Sequence, residues 1–324
     1  MMKTENNTNI LRWGVLGVAK IAVKHVIPAI LEAPNSELYA IASRDEVKAA
    51  EAAERFGCKA IVGYERLLAD EQIDAVYIPL PNAMHMEWTI AAARAGKHVL
   101  CEKPLGLNTA ECERMIEVCR QHNVLLMEAF MYRYSEKTRK TLEIIATDVL
   151  GKLTHISSSF RFPLTDPTNN RFYAQGGGSL YDVGCYPINF INMITGTDPI
   201  EVHGVRTDGH GVDVSFAAVL KYEDGLTATM YSGFNSIATQ RNEICGTDGV
   251  LLVNDPFLDN ADELLLTTAE VKQVIPVEAC KRYTRQVTGF ADAVLNGGAL
   301  LMPLEDTIRN MRLIDRLYAL SREV

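Results

Sequence analysis

The chain reads as an α/β domain built on a doubly wound parallel sheet, followed by an α+β domain whose open sheet is mostly antiparallel. Three observations predict this. The length of 324 residues exceeds one ordinary core and suits two domains. From Ile10 to about Glu128 short apolar runs alternate with helical patterns, and beyond Ser135 strand-like runs follow one another almost without interruption.

In the first half, LRWGVLG, ELYAIAS and DAVYIPL are strand-like. A helical stretch follows the first, and EVKAAEAAERFG follows the second. Two more repeats come after them: the helix MHMEWTIAAARAG before KHVLCE, and the helix NTAECERMIEVCRQH before VLLMEA. Short strands separated by helices predict parallel pairing with helices on both sheet faces. Asn108 and Thr109, with Glu111 and Glu113 just beyond, suit the start of the last of these helices.

In the second half EKTRKTLEIIATDVLG is helical, then THISSSFRF, VSFAAVLKY, LTATMYSGF and GVLLVND alternate as strands do. One helix interrupts them near AQGGGSLYDVGCYPINFINMITG, with Leu180, Val183, Ile188 and Ile191 as its apolar surface. The final stretch carries Leu304, Ile308, Met311, Ile314 and Tyr318 at steps of three and four, the spacing of one helix face. The expected division is 1–128 and 129–324, with the last helix packing back on the first domain.

A net charge of −9 opposes broad contact with a phosphate backbone, so nucleic acid is not expected as a partner. No stretch is apolar and long enough to span a bilayer, and the polar head MMKTENNTN is not a secretory leader. Seven scattered cysteines match neither a disulfide framework nor a zinc site, and a reducing cytoplasm suits them. Cys112 and Cys119 share a helix face as small buried hydrophobes. No metal is expected.

The first strand runs into Gly14-Val-Leu-Gly17-Val-Ala19-Lys-Ile-Ala22, a dinucleotide fingerprint with alanine at two of its small positions. Gly17 makes the tight turn, Ala19 leaves room for phosphates and Ala22 lets the helix approach the sheet. Gly17, Val18, Ala19, Lys20 and Ile21 are therefore candidate cofactor contacts, with backbone N–H groups turned to the anion. At the end of the second strand, where NAD enzymes carry an acid for the ribose hydroxyls, stands Ser43-Arg44. A guanidinium pairs with a 2′-phosphate through parallel hydrogen bonds, which favours NADP and leaves NAD possible. The alternative is that Asp45 takes the acid's role, or merely caps the next helix. Leu80-Pro81-Asn82 with His85, and Glu102-Lys103-Pro104, fall at later strand ends, where ligands of such sheets bind. His85 belongs at a helix start or against the cofactor rather than in the chemistry.

Gly17-x-Ala19-x-x-Ala22, Pro81-Asn82-x-x-His85, Glu102-Lys103-Pro104, Glu128-Ala-Phe-Met-Tyr-Arg133 and Gly176-Gly-Gly-Ser-Leu-Tyr-Asp182-Val-Gly-Cys-Tyr186 together resemble the glucose–fructose oxidoreductase/inositol dehydrogenase (Gfo/Idh/MocA) family. Within it the chain is most similar to the dihydrodiol and D-xylose dehydrogenase branch. The resemblance implies an N-terminal Rossmann domain and a C-terminal open sheet often used for dimerisation, hence a homodimer or homotetramer. It also implies Arg133 near the cofactor and Lys103 at the reacting oxygen, with Asp182 and Tyr186 facing it.

Two departures matter. Many family members carry histidine where this chain has Tyr186, and relatives often show His-Pro after the arginine where this chain has Tyr134-Ser135-Glu136. A phenol ordinarily loses its proton near pH ~10, so Lys103 is expected to stabilise the phenolate. The expected activity is hydride transfer between NADP and a sugar, polyol or dihydrodiol carbon. Lys103 polarises the oxygen, Tyr186 carries the proton, and Asp182 orients Lys103 or binds a substrate hydroxyl. The competing possibilities are a non-catalytic dinucleotide sensor, which Lys103 counts against, and a zinc alcohol dehydrogenase, whose ligand cluster is missing.

Overall fold

The first six strands are β1 (Leu11–Leu16), β2 (Ser36–Ser43), β3 (Lys59–Val62), β4 (Ala75–Ile78), β5 (His98–Cys101) and β6 (Leu126–Glu128). This is a computed structural model, and it describes residues 10–323, so the polar head read from the sequence lies outside the described residues. All five pairings are parallel, in the order β3-β2-β1-β4-β5-β6. The order reverses between β1 and β4, and at that reversal the crossovers diverge to opposite faces and leave a crevice beyond the strand ends. The strands β1 and β4 are almost wholly buried, which is what continuous apolar runs require of a sheet covered on both sides. The short edge strand β3 was not anticipated. Only Ile61 of its four residues is buried, so it carries no apolar pattern.

The crossover helices are α1 (Ile27–Glu32), which continues a π-helical turn over Ala22–Val26, α2 (Glu46–Phe56), α3 (Tyr64–Leu68), α4 (His85–Arg94) and α5 (Thr109–Gln121). Asn108 caps α5 by accepting from the Glu111 N–H at 2.9 Å. Thr109, read with Asn108 as part of that cap, turns instead to Asp315 far along the chain.

The second half opens with α6 (Glu136–Ala146) and β7 (Leu153–Arg161). A π-helical turn over Leu180–Gly184 then leads into α7 (Cys185–Thr195). After it come β8 (Glu201–Gly209), β9 (Val212–Lys221), β10 (Thr227–Gly233), β11 (Thr239–Gly246), β12 (Gly249–Asn254), β13 (Asp262–Thr268) and β14 (Lys272–Val277). The chain ends with α8 (Arg282–Asn296), α9 (Leu304–Leu320) and the short β15 (Arg322–Glu323). The nine strands form one sheet, β14-β13-β12-β11-β7-β10-β9-β8-β15, parallel only at β7–β10 and β8–β15. The antiparallel character expected from the sequence therefore holds for the rest. Five of its strands were not anticipated: in β8, β11, β13 and β14 solvent-facing polar residues dilute the apolar alternation, and β15 is only two residues long.

The helix α7 lies on the inner face against β7 and β10, with Leu180, Val183, Ile188 and Ile191 all buried as its apolar pattern requires. The unanticipated α8 returns to the first sheet, where Phe290 meets Trp13 at 5.3 Å between ring centroids. Asn35 also donates to the Thr288 carbonyl at 3.0 Å. The helix α9 contacts α7 and β8 on one side and α5 and β6 on the other, so it bridges both sheets. Its buried side chains include Thr307 and Asn310 beside Met311, Leu313, Ile314 and Leu317, a stripe broader than the one read from spacing.

Candidate active site

At the end of β1 Gly17 has φ +108°, and a Cβ there would lie 3.2 Å from the Leu80 side chain. A side chain at this position would strain the backbone and crowd Leu80. Val18 and Ala19 are half-buried, Lys20 is exposed, and the helix begins at Lys20 and Ile21. The Gly17 N–H bonds the Ala42 carbonyl at 2.8 Å, and the turn stands at a helix start, the arrangement that can cradle an anion.

Ser43 ends β2, buried, and its hydroxyl accepts from the Asp45 N–H at 3.1 Å. Asp45 caps α2 through the Lys48 N–H at 3.1 Å. Of the two roles weighed for it, Asp45 is thereby engaged in the cap. Arg44 lies exposed beside it, and among the described residues it enters no ion pair. A free guanidinium next to a turn that cradles phosphates fits a dinucleotide with one phosphate more than NAD.

Two sequence-predicted contacts are turned inward. His85, the first residue of α4, has no exposed surface: its Nε2 lies 2.8 Å from the Leu80 carbonyl and its Nδ1 lies 3.0 Å from the Pro104 carbonyl. Burial pushes its pKa down against the pull of those two carbonyls, and the ring, packed between two loops with no exposed surface, is closed to the cofactor contact expected of it. Arg133 is 6% exposed, and its guanidinium donates to Asn189 (2.9 Å), the Leu301 carbonyl (2.9 Å) and Asp306 (2.7 Å). It joins the start of the second half to α9 rather than facing the cofactor crevice. Such a buried guanidinium needs its partners inside the protein.

The Glu102-Lys103-Pro104 segment follows β5. Glu102 is pinned from below by the Tyr77 hydroxyl, which donates to it at 2.6 Å from β4. Lys103 extends to the second half: its Nζ donates to the Asp182 carbonyl oxygen at 2.6 Å and lies 3.4 Å from the Asp182 carboxylate. The same ammonium stands 4.9 Å from the centre of the Tyr186 ring. Burial works against its charge, yet the acidic groups around it, the Asp182 carboxylate among them, raise its pKa, and it stays an ammonium. Burial alone would raise the Asp182 carboxyl. Lys103 on one side and Arg171, 2.5 Å away on the other, outweigh burial and hold it below the usual range.

Tyr186 is 5% exposed, walled by Phe130, Phe160 and Phe257, and its hydroxyl has only the weak Met131 sulfur acceptor at 3.6 Å. The expectation that Lys103 lowers its pKa is overturned in sum. Burial pushes the phenol up by more than the ammonium pulls it down, so Tyr186 keeps its proton.

The glycine-rich segment closes the site. Asn82, from the first half, donates to the Gly176 carbonyl at 2.7 Å, and a Cβ on Gly176 would press on Leu107 and Asn82. Sequence reasoning missed Arg171, Tyr77 and Asp213. Arg171 sits in a single 3-10 turn (Asn170–Phe172) and Tyr77 inside a buried strand, where neither spacing nor periodicity marks a functional residue.

Residues 11–130 match a family described as oxidoreductases with an NAD-binding Rossmann fold, and residues 138–252 match the GFO/IDH/MocA C-terminal domain. The chain is 40% identical over 316 residues to D-xylose 1-dehydrogenase (NADP(+)) 2 of Haloferax volcanii, covering 95% of this chain and 96% of that one. It is 34% identical to a dTDP-3,4-didehydro-2,6-dideoxy-α-D-glucose 3-reductase of Actinomadura kijaniata, covering 100% and 99%. Among solved structures, a 3-ketoreductase from Actinomadura kijaniata in complex with NADP and TDP-benzene superposes with a TM-score of 0.92 at 33% identity, covering 98% and 99%. With this fold, this strand order and a lysine–aspartate–tyrosine cluster at the junction of its two sheets, the chain belongs to the Gfo/Idh/MocA family of oxidoreductases.

Proposed function

We propose that this oxidoreductase transfers hydride between NADP and a carbon bearing the hydroxyl or carbonyl of a sugar, polyol or dihydrodiol. The observation that carries the proposal is Lys103: its ammonium is held by Asp182 and stands over Tyr186 at the meeting point of the two sheets. Resemblance to enzymes named for D-xylose and for a dTDP-sugar supports a carbohydrate-like substrate.

Gly17 and the amides of Val18 to Ile21 would hold the pyrophosphate, Arg44 the 2′-phosphate, and Ser43, Leu80, Pro81, Asn82 and Glu102 would line the rest of the crevice. When bound, the nicotinamide supplies or accepts the hydride. In the reductive direction the substrate carbonyl oxygen would accept from Lys103 and Tyr186. As the carbon gains hydride, the electron pair of the C=O bond moves to oxygen, which takes the phenol proton. Lys103 then stabilises the phenolate until solvent returns a proton. Oxidation reverses each step. Tyr186 suits proton donation because its hydroxyl gives up nothing stronger than a thioether to reach a substrate oxygen.

A second copy of the chain would cover the outer face of the nine-stranded sheet. There a concavity of about 810 Å³ is lined by Val205, Val219 and Leu320, all about half exposed, with Ala217 and Tyr231 between them. Light scattering at micromolar protein checks this, and a purely monomeric species overturns it. The seven free cysteines suit a reducing, cytoplasmic setting.

The test of the activity is a nicotinamide-absorbance screen with NADP and NADPH over aldoses, polyols, inositols, keto sugars, nucleotide-linked sugars and aromatic dihydrodiols. Substrate-dependent turnover is expected. Tight cofactor binding without turnover on any of them would favour a dinucleotide sensor instead.

A further inference from the structure

Asp213, at the start of β9, is 3% exposed and accepts three hydrogen bonds: from the Ser179 hydroxyl (2.8 Å), the Leu180 N–H (2.8 Å) and the Tyr318 hydroxyl (2.6 Å). Among the described residues no cation pairs with it. A buried carboxylate is costly unless donors converge on it, so a carboxylate kept here without a counter-ion marks a point where position matters. Its donors come from two places in the chain. Ser179 and Leu180 open the π-helical turn that carries Asp182, and Tyr318 belongs to the C-terminal helix α9.

The approach is so close that a Cβ on Gly178 would fall 2.1 Å from the Asp213 carboxylate and 3.2 Å from the Tyr318 hydroxyl. The Gly178 carbonyl in turn accepts from the Asp182 N–H at 3.0 Å. The helix α9 holds the first half as well: one turn before Tyr318, Asp315 accepts from both the N–H (2.8 Å) and the hydroxyl (2.6 Å) of Thr109, at the start of α5. Tyr181 completes the tie, donating to the Leu107 carbonyl at 2.6 Å while its ring lies 5.2 Å from that of Tyr318.

We propose that Asp213 and Tyr318 are positioning residues: with Asp315 they make α9 a brace that sets the Asp182 turn against the Lys103 loop. The proposal rests on the catalytic reading of Lys103 and Asp182 given above. Neither Asp213 nor Tyr318 touches the reacting atoms. They act through the 2.6 Å hydrogen bond between the Lys103 ammonium and the Asp182 carbonyl, whose geometry a shift of the turn would spoil.

Tyr318→Phe removes one hydroxyl and leaves the helix surface intact, and Ser179→Ala trims a different donor from the same carboxylate. Each is expected to lower kcat about tenfold while the dissociation constant of NADP stays within about twofold, since misplaced catalytic groups weaken chemistry more than remote binding. Hydrogen exchange, which needs no activity, is expected to quicken at the Leu180 and Asp182 amides in both variants while protection across β1 to β6 is unchanged. Unaltered exchange at those two amides overturns the brace. Faster exchange with wild-type kcat overturns its catalytic meaning. If the wild-type protein turns over no substrate, the proposed function fails, and exchange alone still decides whether α9 holds the turn.

Discussion

The Lys103 ammonium donates to the Asp182 main-chain oxygen at 2.6 Å across 79 residues of sequence, joining the end of β5 to the π-helical turn of the second half. The Asp182 carboxylate is left to Arg171 and to the long side of the same ammonium. The Lys103 ammonium is thus oriented chiefly by a main-chain carbonyl, with the Asp182 carboxylate 3.4 Å away balancing part of its charge. Lys103→Met preserves the length of the side chain and removes the cation. Turnover is expected to fall about 100-fold or more, the range for loss of a preorganised electrostatic donor, with a much smaller change in NADP affinity. Near-normal steady-state turnover in the variant would place the chemistry elsewhere.

Tyr186 is buried, and its pKa is raised above the ordinary phenol value despite Lys103. A protonated phenol is ready for reduction, whereas oxidation needs the phenolate. The oxidation rate should therefore climb with pH well past neutrality and reach no plateau below about pH 10, the ordinary phenol value, while reduction stays flat over the same range. Tyr186→Phe should lose roughly 100-fold in both directions and flatten the climb. A pH–rate profile of oxidation that levels off near neutrality would assign the proton to another group.

Arg44 is exposed beside the Ser43–Asp45 cap. A charge-assisted pair with the 2′-phosphate is worth ~1.5–3 kcal/mol, so wild type should prefer NADP over NAD by roughly ten- to a hundred-fold. Arg44→Ala should forfeit most of that and leave NAD nearly untouched, and added salt should weaken NADP more than NAD. Calorimetric dissociation constants for both cofactors decide it, and equal losses for the two would reduce Arg44 to a surface residue.

Glu128, at the end of β6, is 1% exposed and accepts from the Leu105 N–H at 3.0 Å, just beyond Lys103 and Pro104. Burial pushes its carboxyl from 4.5 up to about 7, although Leu105 and the nearby Arg133 and Lys103 charges pull the other way. The folded chain then holds a proton that the unfolded chain releases between those two values. Its contribution is full below about pH 4.5 and is lost as pH rises to about 7, by on the order of 3 kcal/mol. Glu128→Gln keeps an acceptor for Leu105 and cannot titrate. Thermal midpoints across this window should show wild type losing stability relative to the variant as pH rises, and parallel curves would mean that Glu128 is ionised throughout.

Features that arise within a few residues of chain were legible in the amino-acid order. The turn at Gly17 sits where the backbone takes a positive φ, Asn108 caps its own helix, and α9 packs an apolar stripe that includes the predicted Met311 and Ile314. Lys103, Asp182 and Tyr186 could be named because they stand in short motifs. Which neighbours those residues meet was set by folding. It buried His85 between two carbonyls, drew Arg133 to Asp306, and set Arg171, Tyr77 and Asp213 behind the site. It also returned α8 and α9 to the first sheet, a packing that no local period encodes. The physical reason is range: propensity, capping and amphipathic spacing act along the chain, whereas burial and hydrogen-bond partnership depend on atoms brought together from distant segments. The sign of the Tyr186 shift is one such outcome, since it turns on how completely Phe130, Phe160 and Phe257 exclude water from a phenol beside an ammonium.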